Sequence, residues 1–170
     1  MQDDLYQRAA EEHRLALERV SRAYEADPDK RRDLLQEIHL QVWRSFANFD
    51  NRCSVRTWVY RVAHNAAASY VIREKRSALV SIEDLEARPG ENRMESEGSR
   101  QHALERLAEL IRQLKPLDRQ VIVAYLEGLD AAAISEMTGL SPANVAMKVH
   151  RIKNVLARQF HQGGIDAEQQ

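Results

Sequence analysis

Apolar residues recur at intervals of three and four along most of the chain, which is the spacing of one face of an α-helix. In the first half, this pattern predicts helices over residues 3–26, 29–48 and 54–76, separated by polar breaks at 27–28 and 49–54. No segment alternates between apolar and polar residues with the two-residue period of a strand. The sequence therefore predicts an all-α protein.

The helical pattern is interrupted between residues 77 and 101, where Pro89, Gly90 and Gly98 stand among serines and many acidic residues. Such a composition is typical of a connection between domains. We therefore predict two small helical domains joined by a flexible linker. The predicted boundaries are 1–77 for the first domain, 78–101 for the acidic linker, 102–162 for the second domain and 163–170 for a disordered tail.

The second half contains residues that favour the helix starts and helix ends of a helix-turn-helix. Pro116 suits the first turn of a helix, and Gly128 suits its end. Asp130 can cap a second helix, Gly139 can end it, and Ser141 can cap a third. Because glycine accepts a positive φ at the corner, two short helices can cross sharply with few residues between them. This arrangement is typical of DNA binding, and a simple packing hairpin is the alternative.

The last helix is predicted to have one apolar and one polar face. The apolar stripe comprises Val145, Val149, Ile152, Leu156 and Phe160. On the other face, side chains near the N-terminal end of such a helix can reach base edges, whereas cations mostly neutralise phosphates. The predicted contacts with duplex DNA are Ser141, Asn144, Met147, Lys148, His150, Arg151 and Lys153.

The net charge of −1 hides a strong segregation of charge along the chain. Residues 51–79 contain six Lys or Arg residues and one acid, and residues 137–165 contain four Lys or Arg residues and no acid. Two basic segments separated by an acidic one favour nucleic-acid binding more than the net charge suggests.

The first basic segment also carries aromatic side chains. Trp58 stands near Arg61, and the segment ends in the cluster Arg73, Lys75 and Arg76. Aromatic rings beside arginines can stack on unpaired bases while the cations follow the phosphate backbone, so the segment suits single-stranded DNA. The alternatives are that Trp58 belongs to the core and that the basic cluster only favours the C-terminal end of its helix.

Several other classes of protein are disfavoured. The opening residues are too polar for a signal peptide, and no later run is apolar enough to cross a bilayer, so we expect a cytoplasmic protein. The single cysteine, Cys53, rules out an intramolecular disulfide. The chain shows no phosphate-binding glycine loop, no metal-ligand spacing and no paired nucleophile and base. We therefore expect no enzyme, no cofactor and no metal site.

Two long segments resemble the extracytoplasmic-function (ECF) sigma factors of the sigma-70 family. In the first domain, the similar stretch is 33–76, with DLLQE at 33–37 and RTWVYRVAHN at 56–65. In the second domain it is 114–160, with LKPLDR at 114–119 and VAMKVHR at 145–151. The resemblance covers nearly the whole chain and extends well beyond the helix-turn-helix.

The resemblance implies a subunit that binds core RNA polymerase and directs promoter-specific transcription initiation. The first domain would dock on the polymerase and melt the minus-ten element, and the second would bind the double-stranded minus-thirty-five element. The acidic linker would enter the positively charged channel of the polymerase. By residue match, the polymerase contacts would be Asp33, Gln36, Glu37 and Gln41. The contacts with the single-stranded minus-ten element would include Asn51, Arg52, Trp58, Arg61 and Asn65.

Two departures from the family pattern bear on these roles. Lys30, Arg31 and Arg32 stand where relatives commonly carry another acid, which puts the polymerase affinity in question. Ala146 and Met147 stand where relatives often have arginine and a small polar residue, so the promoter sequence does not transfer.

Two rival functions remain at the level of sequence. One is a DNA-binding regulator with a sensor or oligomerisation domain in the first half, and the other is a helical adaptor protein. We also expect an anti-sigma partner, because the small chain shows no separate inhibitory domain.

Overall fold

The computed structural model describes residues 1–74, 80–89 and 100–161. The elements are α1 (Gln2–Glu12), α2 (Arg14–Tyr24), α3 (Pro28–Ser45), a short 3-10 helix (Phe46–Asn48), α4 (Val55–Arg73), α5 (Ile82–Ala87), α6 (Arg100–Gln113), α7 (Pro116–Leu126), α8 (Ala131–Thr138) and α9 (Pro142–His161). The described residues contain no strand, only an isolated bridge between Val80 and Leu114. The predicted all-α class is confirmed. No helix within these ranges is long and apolar enough to span a bilayer.

Helices α1 to α4 form the first helical group. The carboxylate of Asp27 accepts hydrogen bonds from the backbone N–H groups of Asp29 and Lys30, which caps α3. The hydroxyl of Ser54 accepts a hydrogen bond from the backbone N–H of Thr57, which caps α4. The helix predicted over 3–26 is instead two helices, because the chain turns at the buried His13 and α2 begins at the next residue.

Helices α6 to α9 form the second group, in which α9 packs against α6, α7 and α8. Val145, Val149, Ile152 and Leu156 are buried, and Phe160 is half-buried. The apolar stripe predicted for the last helix is therefore confirmed.

The two groups pack directly against each other. Helix α2 contacts α6 and α7, and α4 contacts α7 and α8. Glu127, just after α7, accepts hydrogen bonds from Arg19 Nη2 at 2.7 Å and from the Tyr60 hydroxyl at 3.0 Å. Arg56 donates to the backbone carbonyl of the same residue. The two helical domains predicted from the sequence are therefore present, and these polar contacts join them side by side.

The segment predicted as the linker contains a helix. Within 78–101, residues 82–87 form helix α5, which is capped by the Ser81 hydroxyl. Ile82 and Leu85 are each only 2% exposed. The described part of the predicted flexible linker is therefore a packed element, because its few apolar residues share one side of a helical turn. The disordered tail predicted at 163–170 lies outside the described residues.

Acidification below about pH 6.5 is expected to destabilise the fold. His64 is 1% exposed, and its Nδ1 lies 3.1 Å from the Tyr24 hydroxyl. Burial lowers the pKa of His64 to about 3, with a smaller effect from the charge of Arg119. Below the ordinary value of 6.5, the unfolded chain binds a proton that the folded protein excludes. The free energy of unfolding should therefore fall by up to about 1.4 kcal/mol per pH unit.

Urea unfolding at several pH values tests this expectation. His64→Gln keeps an acceptor for Tyr24 but removes the titrating group, so it should show a shallower decline between about pH 6.5 and pH 4. Burial also lowers the pKa of His13 and His39. Both residues are present in the two proteins, so they contribute equally to the two declines in the free energy of unfolding. Equal slopes for the two proteins would show that His64 does not carry the effect.

Candidate DNA-binding surfaces

The turn between α8 and α9 has the geometry of a helix-turn-helix corner. Gly139 ends α8 in the left-handed conformation, with φ at 78°. The Ser135 hydroxyl donates to the Leu140 carbonyl at 2.5 Å, which ties the turn back to α8. Asp130 caps α8 through a 2.8 Å hydrogen bond from the Ala133 backbone N–H. These local bonds set the angle at which α9 leaves the corner, as the glycine and capping pattern predicts.

The N-terminal half of α9 presents an exposed face. Asn144, His150 and Met147 lie on this face, and Met147 is 71% exposed. The Ser141 hydroxyl accepts a 3.2 Å hydrogen bond from the Asn144 backbone N–H, so it caps the helix. This face is open along the part of the helix that would meet base edges in a major groove.

The cations of α9 are not equally available. Lys148 Nζ lies 2.5 Å from Oδ1 of the buried Asp118 on α7, and the lysine side chain is 27% exposed. Lys148 therefore departs from the outward position predicted for it and fastens α9 to α7. Lys153 Nζ lies 3.1 Å from the Tyr125 hydroxyl and 5.0 Å from the centre of its ring, so it stays at the surface.

Arg151 lies on the outer side of α9, where its guanidinium meets the acids of α5. Its Nη1 lies 3.1 Å from Oε1 of Glu83, and its Nη2 lies 2.5 Å from Oε2 of Glu86. The hydrogen bond to Glu86 is the main reason that the pKa of Arg151 is raised. The residue predicted to contact DNA is therefore engaged within the chain.

A second candidate surface lies where the loop at 49–54 meets α4. The ring of Phe49 packs edge-on against Trp58, with 5.2 Å between the ring centres. The indole Nε1 of Trp58 donates to the Ser45 hydroxyl at 2.8 Å, and the Arg61 guanidinium lies 4.5 Å above the indole. Trp58 is half-buried, so it supports the loop while part of its side chain stays accessible.

The other residues predicted to contact the minus-ten element lie around this stack. Asn51 and Arg52 are exposed in the loop, where Asn51 adopts a positive φ of 60°. Arg52 Nε lies 3.0 Å from Oδ2 of Asp50, which holds the guanidinium beside the loop. Asn65 and Arg73 are exposed farther along α4. The predicted contacts Lys75 and Arg76 lie outside the described residues.

The predicted polymerase contacts lie along α3. Asp33 and Gln36 are exposed, whereas Glu37 and Gln41 are half-buried. The amide of Gln41 donates to Glu37 at 2.8 Å, as expected for residues four apart on a helix. The spacing of the four residues places them along one side of α3, where they form a polar strip.

Sequence reasoning missed the residues that join the two helical groups. Glu127 and its partner Arg19 are separated by 108 positions, so no local pattern links them. Glu83 and Glu86 were assigned only to an acidic linker. The Ser81-x-x-Asp84 spacing, which is typical of a helix N-terminus, would have predicted α5.

Comparison with known proteins covers both helical groups. Residues 9–77 match the family described as Sigma-70 region 2, and residues 104–156 match Sigma-70, region 4. The ECF RNA polymerase sigma factor SigM of Bacillus subtilis is 26% identical over 132 residues, which are 77% of this chain and 80% of SigM. The RNA polymerase sigma-H factor of Pseudomonas aeruginosa is 27% identical over 124 residues, which cover 71% of this chain and 62% of that factor.

Solved structures show the same fold. CnrH in complex with the cytosolic domain of CnrY aligns with a TM-score of 0.64 and 20% identity, covering 89% of this chain and 84% of that one. The sigma factor RpoE in complex with the anti-sigma factor NepR from Bartonella quintana aligns with a TM-score of 0.63 and 17% identity, covering 92% of this chain and 96% of that one. With both regions matched in order on one chain, this protein belongs to the ECF group of the sigma-70 family.

Proposed function

We propose that this chain binds core RNA polymerase through α3, opens the minus-ten element with the loop at 49–54 and α4, and binds the minus-thirty-five element with α9. The stack of Phe49, Trp58 and Arg61 carries the proposal, because a half-buried indole under a guanidinium provides a platform for an unpaired base. A regulator that binds only duplex DNA has no use for such a platform.

The two candidate surfaces have complementary chemistry. The exposed face of α9 has polar groups for base edges and cations for phosphates, which suits a duplex. The α4 surface combines aromatic rings, exposed Asn51 and exposed Arg52, which suits a separated strand. Extruding a base costs a few kcal/mol, and stacking on the Trp58 surface would offset part of that cost.

Transcription in vitro tests the proposal. The full chain and core polymerase are incubated with a promoter library, and discrete start sites are expected only when both are present. Core polymerase alone provides the control. Failure to bind core or to start transcripts would refute the proposal, whereas binding of duplex DNA without core would favour the regulator alternative.

We also propose that an anti-sigma factor binds this chain. The fold aligns with RpoE in a complex with the anti-sigma factor NepR, which supports a partner of that kind. Size-exclusion chromatography of the tagged chain from its native cells should show a heavier complex before induction. Elution of the chain alone under all growth conditions would count against this partner.

A further inference from the structure

The linker helix α5 is docked on α9 through backbone and side-chain contacts. Arg158 Nη2 donates to the Glu86 carbonyl at 2.8 Å. The amide of Gln159 donates to the carbonyls of Leu85 and Arg88, at 3.3 and 3.1 Å. Leu85 is buried beneath these bonds. A helix of six residues is not stable alone, so α9 supplies the surface that holds α5 in place.

The docked helix brings two carboxylates to Arg151. The guanidinium donates to Glu86 through Nε at 3.0 Å and through Nη2 at 2.5 Å, and to Glu83 through Nη1 at 3.1 Å. A guanidinium binds a phosphate with the same fork of N–H groups. Arg151 cannot use these donors for DNA while both carboxylates occupy them.

The contact is also suited to release. The side chains of Arg151, Glu83 and Glu86 are 45%, 62% and 42% exposed. Ion pairs with this exposure are weak and are screened by salt. A DNA backbone, which presents many phosphates, can therefore displace the two carboxylates.

We propose that α5 is a built-in competitor for the DNA-binding face of α9: Glu83 and Glu86 hold Arg151 in the free protein, and promoter DNA must displace them. This inference rests on the proposed role of α9 in binding duplex DNA. Helix α5 would then inhibit DNA binding from within the chain, in addition to the inhibition expected from an anti-sigma partner.

Binding of duplex DNA by the 170-residue chain tests the competition. The probe is a labelled duplex carrying the upstream element of a promoter that the holoenzyme selects from the library, and fluorescence anisotropy measures its affinity. Glu83→Gln/Glu86→Gln should bind about fivefold more tightly than the unmodified protein, as loss of two weak ion pairs would allow. The control is Glu11→Gln/Glu105→Gln, which makes the same change in net charge at exposed positions of α1 and α6. We expect it to change the affinity for the duplex by less than about twofold.

Hydrogen exchange provides the second measurement. Deuterium uptake across 80–89 should rise when the duplex is added to the unmodified protein, because loss of the Arg151 contacts weakens the docking of a helix that is not stable alone. The competition would be overturned if Glu83→Gln/Glu86→Gln bound the duplex with the same affinity as the unmodified protein. It would also be overturned if both double variants gained the same affinity. Unchanged protection of 80–89 in the DNA complex would overturn it as well. If no form of the protein binds the duplex, the proposed role of α9 fails together with this inference.

Discussion

Arg119→Ala is expected to lower the free energy of unfolding by about 3–5 kcal/mol, as for removal of other large buried side chains. Arg119 is 1% exposed. Its Nη2 donates to the carbonyls of Arg112 and Leu114, at 2.6 and 2.8 Å, and its guanidinium lies 4.7 Å from the centre of the Tyr24 ring. Alanine would leave two carbonyls without this donor and a cavity between α2 and α7. Urea unfolding measures the loss.

Two further variants make the result specific to the contacts of Arg119. Arg119→Lys keeps a positive charge but loses the planar fork, so we expect an intermediate loss of stability. Arg8→Ala removes an exposed arginine whose Nε bonds to the Asp4 carbonyl within its own helix, and it should change stability by about 0.5 kcal/mol or less. Equal midpoints for Arg119→Ala and Arg8→Ala would show that the buried guanidinium does not hold the two helical groups together.

The elements that the sequence predicted correctly are those set by neighbours along the chain. Asp130, Gly139 and Ser141 mark the boundaries of α8 and α9 because caps and left-handed glycines act within one turn of a helix. The apolar stripe of α9 follows from its periodicity alone. The break at 49–54 was predicted for the same reason, and Ser54 caps the helix that follows it.

The elements that the sequence did not predict depend on distant partners. The break at His13 has no glycine or proline to mark it, and the residue at the break is a buried histidine whose φ and ψ are −106° and 11°. Lys148 falls on the polar side of the periodic pattern, but Asp118 lies 30 positions earlier and binds its ammonium. The periodicity of one helix cannot reveal a partner on another helix. The sequence of α9 alone therefore could not show which of its cations are free to contact DNA.

The candidate DNA-binding surfaces also contain both local contacts, which the sequence predicts, and distant contacts, which it does not. Trp58 and Arg61 are three positions apart on one helix, so their stacking was predictable from sequence. The docking of α5 on Arg151 was not, because its charged contacts are 65 and 68 positions apart. The acidic composition of the linker suggested an unstructured segment and hid the two buried residues that attach it.

Trp58→Ala is expected to reduce opening of the minus-ten element by about tenfold or more, since stacking of one base on an aromatic ring contributes about 1–3 kcal/mol. The variant loses the indole that supports Phe49 and carries Arg61, so both the loop and the base platform are affected. Permanganate reactivity of thymines in the minus-ten element, measured with saturating core polymerase, reports strand opening directly.

The controls separate this role from general damage to the fold. Trp58→Phe keeps an aromatic ring in contact with Phe49 and Arg61 but loses the 2.8 Å bond to Ser45 and part of the ring surface, so it should retain more opening activity than Trp58→Ala. Arg61→Ala leaves the indole in place and should reduce opening by weakening the attraction for the separated strand. Both variants and Trp58→Ala should bind the upstream duplex normally, because α9 is unchanged. Normal strand opening by Trp58→Ala and Arg61→Ala in holoenzymes that bind the promoter would refute the role assigned to the stack, since melting would then rely on other residues of the first domain.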